Sequence, residues 1–327
     1  MSDFKAIEIS DILGLSKPLE KLLDCISSAC GKIYEPKHIK RMAEAHAEEI
    51  KTLSDSLKDN PDLLIKYDHG TLSIENYPVI ERAKQRFLTQ EIIKQNNIDN
   101  IIKIAACELN NETIVSDEPV DKTWLLRFFK SIEDITEHEI QVLWGKILAG
   151  EIKQPNTVSL RTLDIIKNVS RNEALLFNDI SIFALRHENS LFLPKYTDLL
   201  EEQNIFYSSI LKLEEVGFMT TSVVTLEIPI TENNDILCYN NNYLINAKPK
   251  SNSNIIKIPV YCFTTSAQEI ISIIKPINNN NLLKSYFQYL NEDNKKFDFS
   301  ILKITEINEN KQEISFYDTP ITNLDLL

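Results

Sequence analysis

Glycine is scarce in this chain: there are six in 327 residues. None falls in a G-x-x-x-x-G-K-[ST] phosphate loop, a dinucleotide G-x-G-x-x-G or a hydrolase G-x-S-x-G elbow, so three common routes to phosphate, cofactor and acyl chemistry are closed. Histidine is rarer still, with five. His138-Glu139 and His187-Glu188 lack the second His, four residues on, that a zinc-protease helix requires. The five cysteines Cys25, Cys30, Cys107, Cys238 and Cys262 are spread widely with no C-x-x-C pair, which predicts reduced thiols rather than a disulfide or metal framework. No run approaches the roughly 18 apolar residues of a spanning helix. The opening MSDFKAIEIS lacks the basic-then-apolar order of a signal peptide, and the expectation is a cytoplasmic protein with no membrane span.

Positive charge is also short, with 35 Lys and Arg against 48 Asp and Glu, a formal charge of -13 and a pI near 5.0. Such a surface repels nucleic-acid backbones and anionic lipid, so a nucleic-acid partner is not expected without a local basic patch. Two clusters offer one. Lys32, Lys37, Lys40 and Arg41 are candidate anion-binding residues, and Arg82, Lys84 and Arg86 form a second group. Both also read as solvated helix faces paired with their own Glu neighbours.

Two further stretches carry letters that suggest chemistry. Asp68-His69 has the makings of half a metal site or an acid–base pair, but beside Gly70 it reads as a turn. Glu309-Asn310-Lys311 fits the E-x-K of a metal-dependent nuclease, yet NENKQE reads as a hairpin turn. No cofactor or catalytic residue is assigned.

What the chain does have is apolar residues, 43% of the total, in helical and then strand patterns. Ser16-Lys17-Pro18 opens a helix along Leu19, Leu22, Leu23 and Ile26 that Gly31 closes. Ile39, Met42, Ala43, Ala47, Ile50, Leu53 and Leu57 mark one face of a long helix. Ala43, Ile50 and Leu57 on it lie seven apart, a seam for self-association or for packing against Ile80, Ala83 and Phe87. Ile98, Ile101, Ile102, Ala105 and Leu109 carry another helical stripe.

The stretch LWGKILAGEIKQPNTVSLRTLDIIKNVSRNEALLF, residues 143–177, is the most distinctive. Thr136 to Glu139 is read as a capping box ahead of it, and Trp144 belongs to the buried stripe. Gly150 supplies a left-handed end, Gln154-Pro155-Asn156 the turn, Ser159 the next cap, and Ser170 with Glu173 a second capping box. Arg161 is expected to pair with Glu151 across the turn. Trp144, Gly150, Glu151, Pro155, Ser159, Arg161 and Glu173 thus read as a structural joint between helices.

Beyond about residue 190 the chain turns Asn-rich, with strands predicted over Thr221–Ile230, Tyr243–Asn246, Ile255–Phe263, Phe299–Ile307 and Glu313–Tyr317. A helix pair precedes the first, a helix follows the third, and Asn278 to Asn281 reads as a short linker before a helix over Leu282–Leu290. Helix, helix, hairpin, strand, helix is the order of a winged-helix-like module. Its second helix is not built for DNA, because Asp198 to Val216 carries Asp198, Glu201, Glu202, Glu214 and Glu215 against the single Lys212. The expectation is an α+β chain: N-terminal helices over 1–60, a helical domain over 61–190, a winged-helix-like domain over 191–275 and a small α/β domain over 276–327.

LSKPLEKLLDCISSACGKIYEPKHIKRMAEAHA and the 143–177 stretch, with ILKLEEVGFMT and VYCFTTSAQEIISII, resemble the bacterial domain-of-unknown-function family 2806. The pattern W-x-x-I-L-A-G-E-I, then P, S-x-R-T-L and E-A-x-x-F carries the likeness. The helical middle and Leu213, Gly217 and Phe218 are also similar in kind to the Abi-alpha abortive-infection proteins, although Ala267 stands where such modules often have Gly. This second likeness implies a role in anti-phage or mobile-element conflict, and the expectation for the chain is a non-enzymatic sensor or adaptor in phage defence, acting on a protein partner or as a homo-oligomer. The rivals are a nucleic-acid-binding regulator and a metal-dependent nuclease.

Overall fold

The computed structural model describes residues 16–30, 65–68, 71–73, 76–110, 112, 114–231, 235–250, 255–293, 295–308 and 313–321. The chain forms two compact units, one ending at Leu163 and the other beginning at Asp164, so the boundary falls inside the 143–177 stretch. The helix read over Ile39 to Leu57, with Lys32, Lys37, Lys40 and Arg41 beside it, lies outside the described residues.

In the first unit, α1 (Lys17–Cys30) starts where the Ser16 carbonyl accepts the N–H groups of Leu19 and Glu20, with Pro18 in the first turn, where its missing N–H costs nothing. Its buried face is Leu22, Cys25 and Ile26. β1 (Ile65–Asp68) and β2 (Thr71–Ser73) form an antiparallel pair with Asp68 opposite Thr71, and the His69-Gly70 of the expected turn lies outside the described residues. α2 (Asn76–Leu109) is a single helix of 34 residues that buries Asn97, Ile101, Ala105 and Leu109.

Asp121 caps α3 (Lys122–Ile132) by accepting the Trp124 N–H at 2.8 Å. α4 (His138–Lys153) runs along α2. The two approach so closely at Gly145 that a methyl group added there would meet Ile104 Cβ at 2.7 Å, so only glycine fits.

Two expectations about α4 fail. Its N-cap is Glu137 with no side-chain cap bond, so Thr136 stands one residue outside the position from which it could reach the first turn. Gly150 does not end the helix either. Glu151 and Ile152 are both buried and hold the next turn in place, the helix runs on to Lys153, and Gly150 uses its carbonyl to accept the Gln154 N–H at 2.9 Å.

The second unit begins within α5 (Leu160–Ile166) and continues with α6 (Arg171–Ser181), β3 (Leu185–His187), β4 (Ser190–Pro194), α7 (Thr197–Glu201), α8 (Tyr207–Val216) and β5 (Met219–Pro229). Then come β6 (Asp235–Tyr239), β7 (Tyr243–Pro249), β8 (Ile255–Phe263), α9 (Thr265–Ile274), α10 (Asn281–Asp293), β9 (Phe297–Asn308) and β10 (Glu313–Phe316). The strands β3 to β10 make one eight-stranded sheet in the order β10-β9-β7-β6-β3-β4-β8-β5, antiparallel at every pairing. Helix and sheet together make the class α+β.

Gly217 ends α8 in the left-handed region at φ 92°, and Phe218 returns its N–H to the Leu213 carbonyl at 2.8 Å. Phe218 then packs at a tilt against Phe177 of α6 with ring centroids 4.4 Å apart. The Thr264 hydroxyl donates to the Gly217 carbonyl at 2.7 Å and accepts the N–H of the fully buried Ala267, so a side chain at position 267 is accommodated where a glycine was the expected residue. On α10, Leu282, Leu283, Tyr286 and Leu290 are buried, and this helix packs against β9 and α7.

The asparagines between α9 and α10 do more than link. Asn240, at the β6–β7 turn, accepts the N–H groups of Asn242 and Tyr243 at 2.8 Å each and donates to Asn280 Oδ1 at 3.0 Å. Asn242 also donates to Asn280, and Asn278 accepts the Asn241 N–H while donating to the Ile182 carbonyl. A connection of four consecutive asparagines, 278–281, is thereby fastened to a turn some forty residues earlier.

Candidate functional site

The turn after α4 is built around one carboxylate. Asn156 adopts φ 68°, a left-handed geometry that asparagine tolerates, and this turns successive backbone N–H groups to one side. Glu151, almost wholly buried, fills the resulting pocket of donors: it accepts Asn156 N–H at 2.7 Å, Thr157 N–H at 3.0 Å and Val158 N–H at 3.0 Å. Burying a charge is costly, and charge-assisted bonds of this kind are what offset it. Pro155 is buried beside it.

A cation enters the same region from α1. The Lys21 ammonium donates to the Ser116 carbonyl at 2.9 Å. Desolvation holds it below the usual lysine range, against the opposing pull of Cys25, Asp117, Glu118 and Glu151. Burial in turn pushes the Cys25 thiol up to about 11, partly countered by Lys21.

Aromatic packing backs the turn. The Trp124 indole N–H donates to the Val158 carbonyl at 2.7 Å. Trp124 stacks on Phe128 at 5.1 Å, and Phe128 meets Trp144 edge to face at 5.4 Å. Trp144 is fully buried, and its own N–H has no partner among the described residues.

The remaining residues singled out in this stretch do local work. Ser159 opens α5 by accepting the Thr162 N–H at 3.3 Å. Ser170 and Glu173 complete the second capping box, with Ser170 N–H donating to Glu173 at 2.7 Å and Glu173 N–H returning to the Ser170 hydroxyl. The expected Arg161–Glu151 pair does not form. Arg161 is exposed and has no ion pair among the described residues, because the carboxylate meant for it is already committed to the backbone. Among the described residues no group of three or more His, Cys, Asp or Glu side chains is placed to hold a metal ion, and no helix is long and apolar enough to cross a membrane.

A different face shows the properties of a contact surface. Phe206, Tyr207 and Leu211 are 48%, 56% and 39% exposed, while Ile210 and Leu213 on the same helix turn into the core. Tyr207 leans toward Tyr261 of β8 at 6.5 Å between centroids, and Lys195 lies over the Tyr261 ring at 4.8 Å. Asp198, Glu201, Glu202 and Glu215 are exposed on α7, on α8 and in the turn between them, and none has an ion pair among the described residues. Glu214 differs, for its carboxylate accepts the Thr221 N–H at 2.8 Å and its hydroxyl at 2.6 Å, which holds it below the usual carboxylate range.

The family described as Protein of unknown function (DUF2806) matches residues 81–291, and the chain belongs to it. The matched region runs from α2 through α10 and includes both the Glu151 turn and α8. No curated protein and no solved structure matches the chain.

Proposed function

We propose that this chain is a cytoplasmic sensor or adaptor that works through protein contacts rather than catalysis, in anti-phage defence of the abortive-infection kind. The defence context rests on the sequence likeness to the Abi-alpha proteins. The contact mode rests on one observation: large apolar side chains stand exposed together on α8 among uncompensated carboxylates.

The winged-helix reading draws support from topology. α6, β4, α7, α8, β5 and β8 follow in the order helix, strand, helix, helix, strand, strand, with β4 and β5 on either side of β8 and the β6–β7 hairpin inserted in the wing. That order favours one rival, a nucleic-acid-binding regulator. Charge argues against it, because the helix that would enter a groove brings Glu215 and neighbouring acids toward phosphates.

Cells producing the chain, challenged with a panel of phages, test the proposal. Plating efficiency is expected to fall for at least one phage and to recover with Tyr207→Ser plus Leu211→Ser at unchanged melting temperature. Protection that survives the double variant, or its complete absence across the panel, counts against the reading.

A further inference from the structure

We infer that the α8 face receives an amphipathic helix whose apolar stripe is flanked by lysine or arginine; this deepens, and rests on, the protein-contact reading. Tyr207 and Leu211 are one helical turn apart and make a short ridge, with Phe206 exposed at the N-cap just before it. A ridge with i, i+4 spacing fits the groove of a second helix. An apolar ridge alone does not name its occupant, but the charge around it does.

Asp198, Glu201, Glu202 and Glu215 are exposed and without ion pairs among the described residues, whereas Glu214 is already engaged by Thr221. Of the nearby cations, Lys195 lies over the Tyr261 ring and Lys212 is the single basic residue of α8. Glu215 continues the Tyr207–Leu211 row one turn on, and Glu201 and Glu202 stand at the end of the helix that leads into α8, so a partner that covers the ridge desolvates carboxylates along it. An acidic or neutral partner leaves like charges facing each other or carboxylates unpaired, and a basic one supplies the missing counter-charges. Duplex DNA and anionic vesicles carry the wrong sign for the same reason.

The test titrates the full chain into a labelled Leu/Lys helical peptide, with a matched Leu/Glu peptide as control, by fluorescence anisotropy at low and high salt. The expected result is binding of the Lys peptide alone, weakened about tenfold or more by Tyr207→Ser with Leu211→Ser. A second variant, Glu201→Gln with Glu202→Gln, keeps the ridge and is expected to flatten the salt dependence. Equal affinity of the Leu/Glu peptide, full affinity in the Ser double variant, or duplex DNA binding that Leu211→Ser abolishes would each overturn the inference. The phage assay separates the two ideas. Lost protection with unchanged peptide affinity overturns the basic-helix inference and leaves the adaptor reading, while lost peptide binding with intact protection supports the inference and sinks the adaptor role.

Discussion

Glu151 and Val158 are joined at both ends of a relay: the buried carboxylate accepts the Val158 N–H at 3.0 Å, and the Val158 carbonyl accepts the Trp124 indole at 2.7 Å. The backbone of one turn therefore depends on a side chain from the helix before it and a ring from another helix. Glu151→Ala leaves three backbone donors without their acceptor and is expected to cost about 3 to 5 kcal/mol. Glu151→Gln, which retains one acceptor oxygen, should cost less. Chemical denaturation of the two variants checks the order, and equal stability of Glu151→Ala and the parent removes the turn from any structural role.

Trp144→Ala opens a cavity under Phe128 and is expected to cost about 3 to 5 kcal/mol. Trp144→Phe should cost clearly less, because the indole N–H it deletes has no partner among the described residues. A calorimetric series of the three proteins tests this, and a Phe variant as damaged as the Ala variant points to a role for the N–H.

Gly145→Ala places a methyl group against Ile104 and is expected to destabilise by about 1 to 3 kcal/mol, despite the better helix propensity of alanine. Ile104→Ala in the same chain should restore part of the loss. A double-mutant cycle with no coupling between the two positions contradicts the close approach of α2 and α4.

Cys25 keeps its proton up to about pH 11, compared with 9.0 for an unperturbed thiol. The folded state then binds a proton that the unfolded chain gives up, so this contribution to stability is complete below about pH 9 and is lost as pH rises through 11. Cys25→Ala should flatten the alkaline limb of a melting-temperature profile between those values. Alkylation near neutral pH should label the exposed Cys107 ahead of the buried Cys25 and Cys238.

Duplex DNA should bind only weakly and non-specifically, in the usual range of about 0.1 mM to 1 µM, and dissociate with added salt. Nanomolar affinity for one sequence at physiological salt contradicts the acidic reading of α7 and α8.

How much was legible follows the reach of each interaction. The Ser170–Glu173 box and the Gly217 stop were readable because they close within a few residues. The strands from β7 onward and the β9–β10 hairpin were readable from their β-rich runs. The letters at Thr136 to Glu139 looked the same as those at Ser170, but α4 starts at His138, one residue too late for the threonine. Glu151 was singled out with the wrong partner, since its true acceptor role depends on the left-handed Asn156 of the following turn. A carboxylate a few residues before Pro-Asn-Thr was the available signal. Helix α3 also had one, with Asp121 ahead of Trp124, Leu125, Phe128, Phe129 and Ile132 at helical spacing. The asparagine pairs spanning positions 240 and 280 had none, because nothing local tells a linker from a fastened loop.

That fastening uses only amides. Asn240, Asn242, Asn278 and Asn280 carry no proton to gain or lose and no charge for salt to screen, in contrast to the carboxylate that organises the turn at Asn156. The two turns are consequently secured by different kinds of chemistry. The β6–β7 corner needs both the donor and the acceptor of Asn240, whereas the Asn156 turn calls on a side chain that only accepts, so Asn240→Asp is expected to unfasten the first and Glu151→Gln to weaken the second.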